Sequence, residues 1–176
     1  QLTLQEMESR NEVYTRIISR AFPRESPTRF LIFIHGSFGI GKSAFVNTLQ
    51  FLFGKPKRDK FAGISEEGST FTLDATIFHL EKIGVDIMDS AGLQFEDTNH
   101  NYAQALEAIL TGKFKSGTKI PKFKEKMNLA EHGSQPTPRL VLLFVSPQLT
   151  DEQAAYYRWA IETIKNNNAQ FIIVVS

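Results

Sequence analysis

The sequence predicts an α/β domain in which helices cover both faces of a mostly parallel sheet carrying one antiparallel edge hairpin. Two observations predict it. Mainly apolar runs at 30–34, 139–145 and 171–175 read as strands buried on both sides, the pattern of a parallel sheet between helices. Between them, residues 43–53, 101–110 and 151–165 have helical rather than alternating patterning. Strand alternating with helix is the order of βαβ units.

Each element has its own warrant. Over residues 1–22, Leu4, Met7, Tyr14, Ile17, Ile18 and Ala21 recur at helical spacing, and Pro23 and Pro27 end that helix in a linker. Residues 1–28 therefore stand apart from a domain at 29–176. The run 30–34 is the first strand. Helix 43–53 gathers Phe45, Val46, Leu49, Leu52 and Phe53 on one side and stops at Gly54, with Pro56 beyond. Residues 55–68 read as a polar loop. Phe71, Leu73, Ala75 and Ile77 alternate with Thr72, Asp74 and Thr76, which predicts a half-exposed strand over 71–80. Glu81 and Lys82 turn it into a second strand at 83–88, making the hairpin. Residues 111–138 read as a long insertion rich in Lys, Gly and Pro. Thr150 and Gln153 have capping-box spacing and open helix 151–165. The last strand is 171–175.

Composition narrows the classes. The 176 residues are 41% hydrophobic and include 15 Phe, enough for one core. A formal charge of +1 gives no global field toward nucleic acid or acidic surfaces. With no cysteine, disulfide scaffolds, thiol chemistry and cysteine zinc sites are excluded, and the scattered His35, His79, His100 and His132 do not suggest zinc. No apolar run approaches the roughly 20 residues of a membrane helix. A start at Gln1 and an end inside an apolar run read as a fragment, which leaves targeting open.

The informative stretch is 36–43, Gly-Ser-Phe-Gly-Ile-Gly-Lys-Ser, which fits G-x-x-x-x-G-K-[ST] without a mismatch. Gly36, Gly39 and Gly41 allow dihedrals closed to other residues, so the amides of 39–44, including those of Ile40 and Ala44, can turn in on a phosphate. Lys42 puts a cation on the β- and γ-phosphates, and the Ser43 hydroxyl can ligate Mg²⁺. The following helix adds free amides and the positive end of its dipole. A chance match in a glycine-bearing turn would lack this setting of buried strand before and amphipathic helix after. The motif implies a P-loop NTPase fold and a nucleoside phosphate site.

A second motif follows in 85–92, Val-Asp-Ile-Met-Asp-Ser-Ala-Gly. Asp89 ends an apolar strand where it can hold Mg²⁺ through water, and Gly92 leaves its N–H open to a γ-phosphate. This resembles the D-x-x-G motif of the translation-factor and small-GTPase class, which also has an antiparallel strand before it. The resemblance implies GTP and GDP as ligands, Mg²⁺ as cofactor and hydrolysis to GDP and phosphate. It also implies a switch threonine before the second strand. Ser69, Thr70 and Thr72 are available; Thr70 is assigned as a metal ligand and, with Lys42, as a catalytic residue.

Two departures matter. Leu93 stands where many small GTPases carry the glutamine that orients water, with Gln94 one position late, and Phe38 would crowd an arriving arginine finger. Hydrolysis should then be slow, or completed by another subunit or partner. A scaffold that holds nucleotide without turnover, or an ATP-dependent P-loop NTPase, are the alternatives. The base motif N-K-x-D would follow strand 171–175, past Ser176, so guanine rests on residues 89–92 and the hairpin.

Residues 89–93, Asp-Ser-Ala-Gly-Leu, followed by 109–113, Ile-Leu-Thr-Gly-Lys, resemble the interferon-induced protein 44 family. The resemblance implies a cytoplasmic, guanine-nucleotide-binding, defence-related protein. Septin-like and immunity-associated GTPases are comparable, and they imply a homodimer across the nucleotide face.

Between 112 and 127, lysines at 113, 115, 119, 122, 124 and 126 face one acid, Glu125, a local charge of +5 that leaves −4 elsewhere. Interleaved with Phe114 and Phe123, residues 113–126 form a candidate contact for anionic lipid or RNA, against the plainer reading of a solvated loop. His35 is expected to be packed rather than catalytic. Tyr156, Tyr157 and Trp159 are expected in the core rather than at an interface.

Overall fold

The computed structural model describes residues 29–54, 75–90, 92, 102–114 and 136–176. The expected helix at 1–22, the loop 55–68, Ser69, Thr70, Thr72, Leu93, Gln94, His100 and residues 115–135 of the lysine-rich insertion lie outside these.

Among the described residues, β1 (Phe30–Gly36), β2 (Thr76–Leu80), β3 (Val85–Asp89), β4 (Leu140–Val145) and β5 (Gln170–Val175) form one sheet. Its order is β2-β3-β1-β4-β5. Three helices join them: α1 (Lys42–Phe53), α2 (Tyr102–Leu110) and α3 (Asp151–Asn166). β1 runs parallel to β3 and β4, β4 parallel to β5, and β2 antiparallel to β3. The strand, glycine loop and helix at β1–α1 make this a P-loop NTPase fold. From β1 the sheet grows toward β3, and from β3 the chain crosses back past β1 to β4. The order reverses there, the crevice where α/β sheets place ligands.

The period-two alternation of strand side chains divides the core. Leu31, Phe33, Met88, Val141 and Leu143 pack with Leu106, Ile109, Ala160 and Ile164 of α2 and α3. Ile34, Val85, Ile87 and Phe144 pack with Val46 and Phe53 of α1 on the other face. Each large side chain so buried contributes about 1.5–3 kcal/mol.

Three expectations need correction. Of the half-exposed strand expected over 71–80, residues 71–74 lie outside the described residues; within 75–80, Ala75 joins one core, Phe78 and Leu80 join the other, and only His79 is exposed. The turn is longer than expected, occupying 81–84 with Gly84 at φ +68°, so β3 starts at Val85. Phe114 is the third. It belongs to no exposed patch, because it is 1% exposed and packed among α2, α3 and the sheet. The chain reaches it through a tight helix stop. Gly112 takes φ +71°, and the Lys113 and Phe114 amides both donate to the Ala108 carbonyl. Of the lysine-rich stretch, Lys113 is described and exposed.

Replacing Phe114 by Ala should therefore cost about 3–5 kcal/mol of unfolding free energy in urea titration. Lys113→Gln should change it by less than about 0.5 kcal/mol. Equal small effects would put Phe114 outside the core.

Candidate functional site

The site gathers at the carboxyl ends of β1 and β3. Their register sets Ile34 beside Asp89, and the register with β4 sets Gly36 beside Phe144. Two different constraints select the glycines here. A β-carbon on Gly36 would stand 2.2 Å from the Phe144 carbonyl oxygen, and one on Gly92 would stand 2.4 Å from the Phe38 Cα. Those two positions need room, and Gly36 at φ +151° needs glycine's backbone freedom as well. Gly39 (φ +72°) and Gly41 (φ +90°) have open space around them and need only the left-handed backbone.

The loop delivers an uncapped helix. Gly41 precedes α1 with no side-chain cap and no acid in the first turn, so no N-cap side chain occupies its leading amides. α3 is the contrast within the same chain. Its Thr150 and Gln153 form a complete capping box, as the spacing predicts. Gly54, at the other end of α1, takes an extended φ of −81°. It is glycine for space, since a β-carbon there would meet the Gln50 carbonyl oxygen at 2.6 Å.

Lys42, Ser43 and Asp89 come together. The Lys42 ammonium is buried and donates to the carbonyls of Gly36 (3.0 Å) and Ser37 (2.8 Å). Burial lowers its pKa to about 8, partly opposed by the Asp89 charge. Ser43 Oγ donates to Asp89 Oδ2 at 2.8 Å. Asp89 Oδ1 is buried and has no hydrogen-bond partner among the described residues. Burial pushes the Asp89 pKa up, while the Ser43 hydroxyl, Lys42 and the Ser90 amide favour its charged form. Ser90 Oγ donates to the Ile34 carbonyl at 3.2 Å, tying the chain after β3 back to β1. Ile40 is half-buried in the loop and Ala44 is exposed at the start of α1. Thr70, expected beside the metal, is outside the described residues.

Behind the loop stand two tyrosines of α3. Tyr157 OH donates to the Phe144 carbonyl at 3.0 Å and accepts from the Ser37 N–H at 3.2 Å. Ser37 Oγ lies 3.0 Å from the same hydroxyl. Tyr156 OH lies 2.8 Å from His35 Nε2. The helical stripe of Tyr157, Ala160 and Ile164 foretells a buried position for Tyr157. No local pattern could reveal that its hydroxyl meets a residue 120 positions earlier.

His35 is packed, as expected, and burial followed by the Lys42 charge lowers its pKa to about 3. Its Nδ1 has no partner among the described residues. Among those residues no group of three or more His, Cys, Asp or Glu could hold a metal ion. A metal here would rest on one carboxylate and a hydroxyl.

Neither a protein-family profile nor a curated protein sequence matches this chain. Solved structures with a similar chain trace include a dimerization-deficient variant of Toc33 from Arabidopsis thaliana. It matches at 12% identity and a TM-score of 0.41, covering 95% of this chain and 79% of that one.

The His35 shift has a testable sign. Its folded pKa lies below the ordinary 6.5, so its contribution is complete above pH 6.5 and is lost as pH falls toward 3. In that window the unfolded chain takes a proton the folded one refuses, a slope of about 1.4 kcal/mol per pH unit. Urea titrations from pH 7 to 4 should show wild type losing stability faster than His35→Gln. Parallel curves would mean His35 protonates in place.

Proposed function

We propose that this chain is a guanine-nucleotide-binding switch domain. It hydrolyses GTP to GDP and phosphate slowly alone, and faster when a second copy or a partner completes the site. One observation carries the reading. A buried carboxylate oxygen without a partner among the described residues, Asp89 Oδ1, lies in the cluster of Lys42 and Ser43 at the uncapped start of α1.

These groups fit Mg²⁺, a hard cation that takes oxygen ligands and keeps several waters. Ser43 Oγ and Asp89 would hold it, and once bound it would neutralise charge on the β- and γ-phosphates. The chain's own residues account for the rest. Lys42 exchanges the carbonyls of Gly36 and Ser37 for phosphate oxygens, a contact between opposite charges in place of one between an ammonium and neutral carbonyls. The amides of residues 39–44 face the phosphates without a competing cap. Gly92 abuts Phe38, so the segment after β3 touches the phosphate loop directly. Contacts to a γ-phosphate would order that segment and release it after hydrolysis.

Guanine is preferred over adenine for the D-x-x-G sequence at 89–92 and the antiparallel hairpin of β2 and β3 before it. Completion by a partner is invoked because Leu93 has no group that polarises water. The homodimer across the nucleotide face and a cytoplasmic setting enter through the motif resemblance alone. The likeness to the interferon-induced protein 44 family weighs less, because its 109–113 stretch serves as the stop of α2.

Lys42→Ala should weaken Mg²⁺·GTP binding about ten- to a hundredfold, the ~1.5–3 kcal/mol of hydrogen bonds to charged groups. Asp89→Asn should remove the Mg²⁺ dependence of that binding. GTP and GDP should displace a labelled guanine nucleotide while ATP does not. Single-turnover hydrolysis should quicken as protein concentration rises. Unchanged binding by Lys42→Ala would overturn the reading; equal competition by ATP would overturn the choice of base, and no turnover at any concentration would leave a scaffold.

A further inference from the structure

We infer that Tyr157 is a positioning residue for the phosphate loop, its hydroxyl setting the Gly36–Ser37 peptide and through it the Lys42 ammonium. The inference deepens the nucleotide reading above and rests on it for the ligand, though not for the contact itself.

Tyr157 is 4% exposed on the buried stripe of α3, beside Ala160 and Ile164. A phenylalanine would fill that space equally well. A hydroxyl taken out of water must find partners or cost free energy, and this one finds them at a single place. It donates to the carbonyl of Phe144, the residue that lies beside Gly36 across the sheet. It accepts from the amide of Ser37, the first residue after that glycine. Because its hydrogen goes to Phe144, Ser37 Oγ at 3.0 Å donates to it as well.

The peptide plane that carries the Ser37 N–H also carries the Gly36 carbonyl, which accepts from Lys42 Nζ at 3.0 Å; the next carbonyl, that of Ser37, accepts at 2.8 Å. The N–H of that plane is held by α3 and its C=O faces the lysine. One hydroxyl therefore orients the peptide plane that holds the cation. Gly36 cannot do this alone, because a glycine at φ +151° restrains its neighbour little. Tyr156, one position earlier, adds a second attachment through His35 at 2.8 Å. The helix that begins at the capping box is thus fastened to both residues flanking Gly36.

The test compares wild type, Tyr157→Phe, Ser37→Ala and the double variant of the whole chain. Amide hydrogen exchange is followed without nucleotide, and Mg²⁺·GTP affinity by titration. Tyr157→Phe should speed exchange in residues 36–41 about tenfold and weaken Mg²⁺·GTP about tenfold, the scale of one unsatisfied buried donor. Protection in α3 and β4 should not change. Affinity losses of the two single variants should be non-additive in the double variant, since both act on one contact. Exchange that rises equally throughout α3, β4 and the loop would mark Tyr157 as a packing residue only and overturn the inference. So would unchanged exchange in the loop, or additive losses. Should wild type bind no nucleotide, the ligand reading fails by itself; loop-confined exchange then still supports the contact, and its absence overturns it.

Discussion

The backbone of Phe144 lies so close to Gly36 that a β-carbon there would stand 2.2 Å from its carbonyl oxygen. Much of the site follows from that approach. The parallel pairing of β1 and β4 brings it about, and it leaves glycine as the residue through which the chain can leave β1. It also presents the Phe144 carbonyl to Tyr157, so that sheet, loop and α3 meet at one peptide. On the opposite side of β1, pairing with β3 sets Asp89 level with Ile34, within reach of Ser43 at the head of α1.

The charges gathered there are poorly solvated. Lys42 and Asp89 each oppose the shift that burial imposes on the other. Hydrogen bonds from Ser43 and to the carbonyls of 36 and 37 take up part of what water would supply. What is left over is one carboxylate oxygen and an uncapped helix end. Dipoles held in place before a ligand arrives need not reorganise when charge develops. Nearby His35 stays neutral because burial and the Lys42 charge both refuse it a proton.

Much of the architecture was legible in linear order. Unbroken apolar runs, helical spacing and the capping box at 150–153 mark β1, β4, α1 and α3 to within a residue or two, because these signals are local. The glycine loop was legible for the same reason: eight consecutive residues carry it. Where local patterning misled, a distant element was responsible. β2 looked half exposed until Phe78 and Leu80 met the core under α1. Phe114 sat between lysines in sequence, yet the turn at Gly112 folds it beneath α2 and α3.

By itself, then, the order of residues determined the α/β class, the antiparallel hairpin, the phosphate loop and the candidate roles of Lys42, Ser43 and Asp89. Backbone propensity and short motifs act over a few residues and need no knowledge of the rest of the chain. Only the tertiary structure decided that Gly36 and Gly92 are required for room, Gly36 for its backbone rotation as well. It also decided that Asp89 keeps one oxygen unpartnered among the described residues and that Tyr157 reaches back 120 residues to Ser37. Those facts depend on which strands lie side by side and how closely, a consequence of packing that no local pattern encodes.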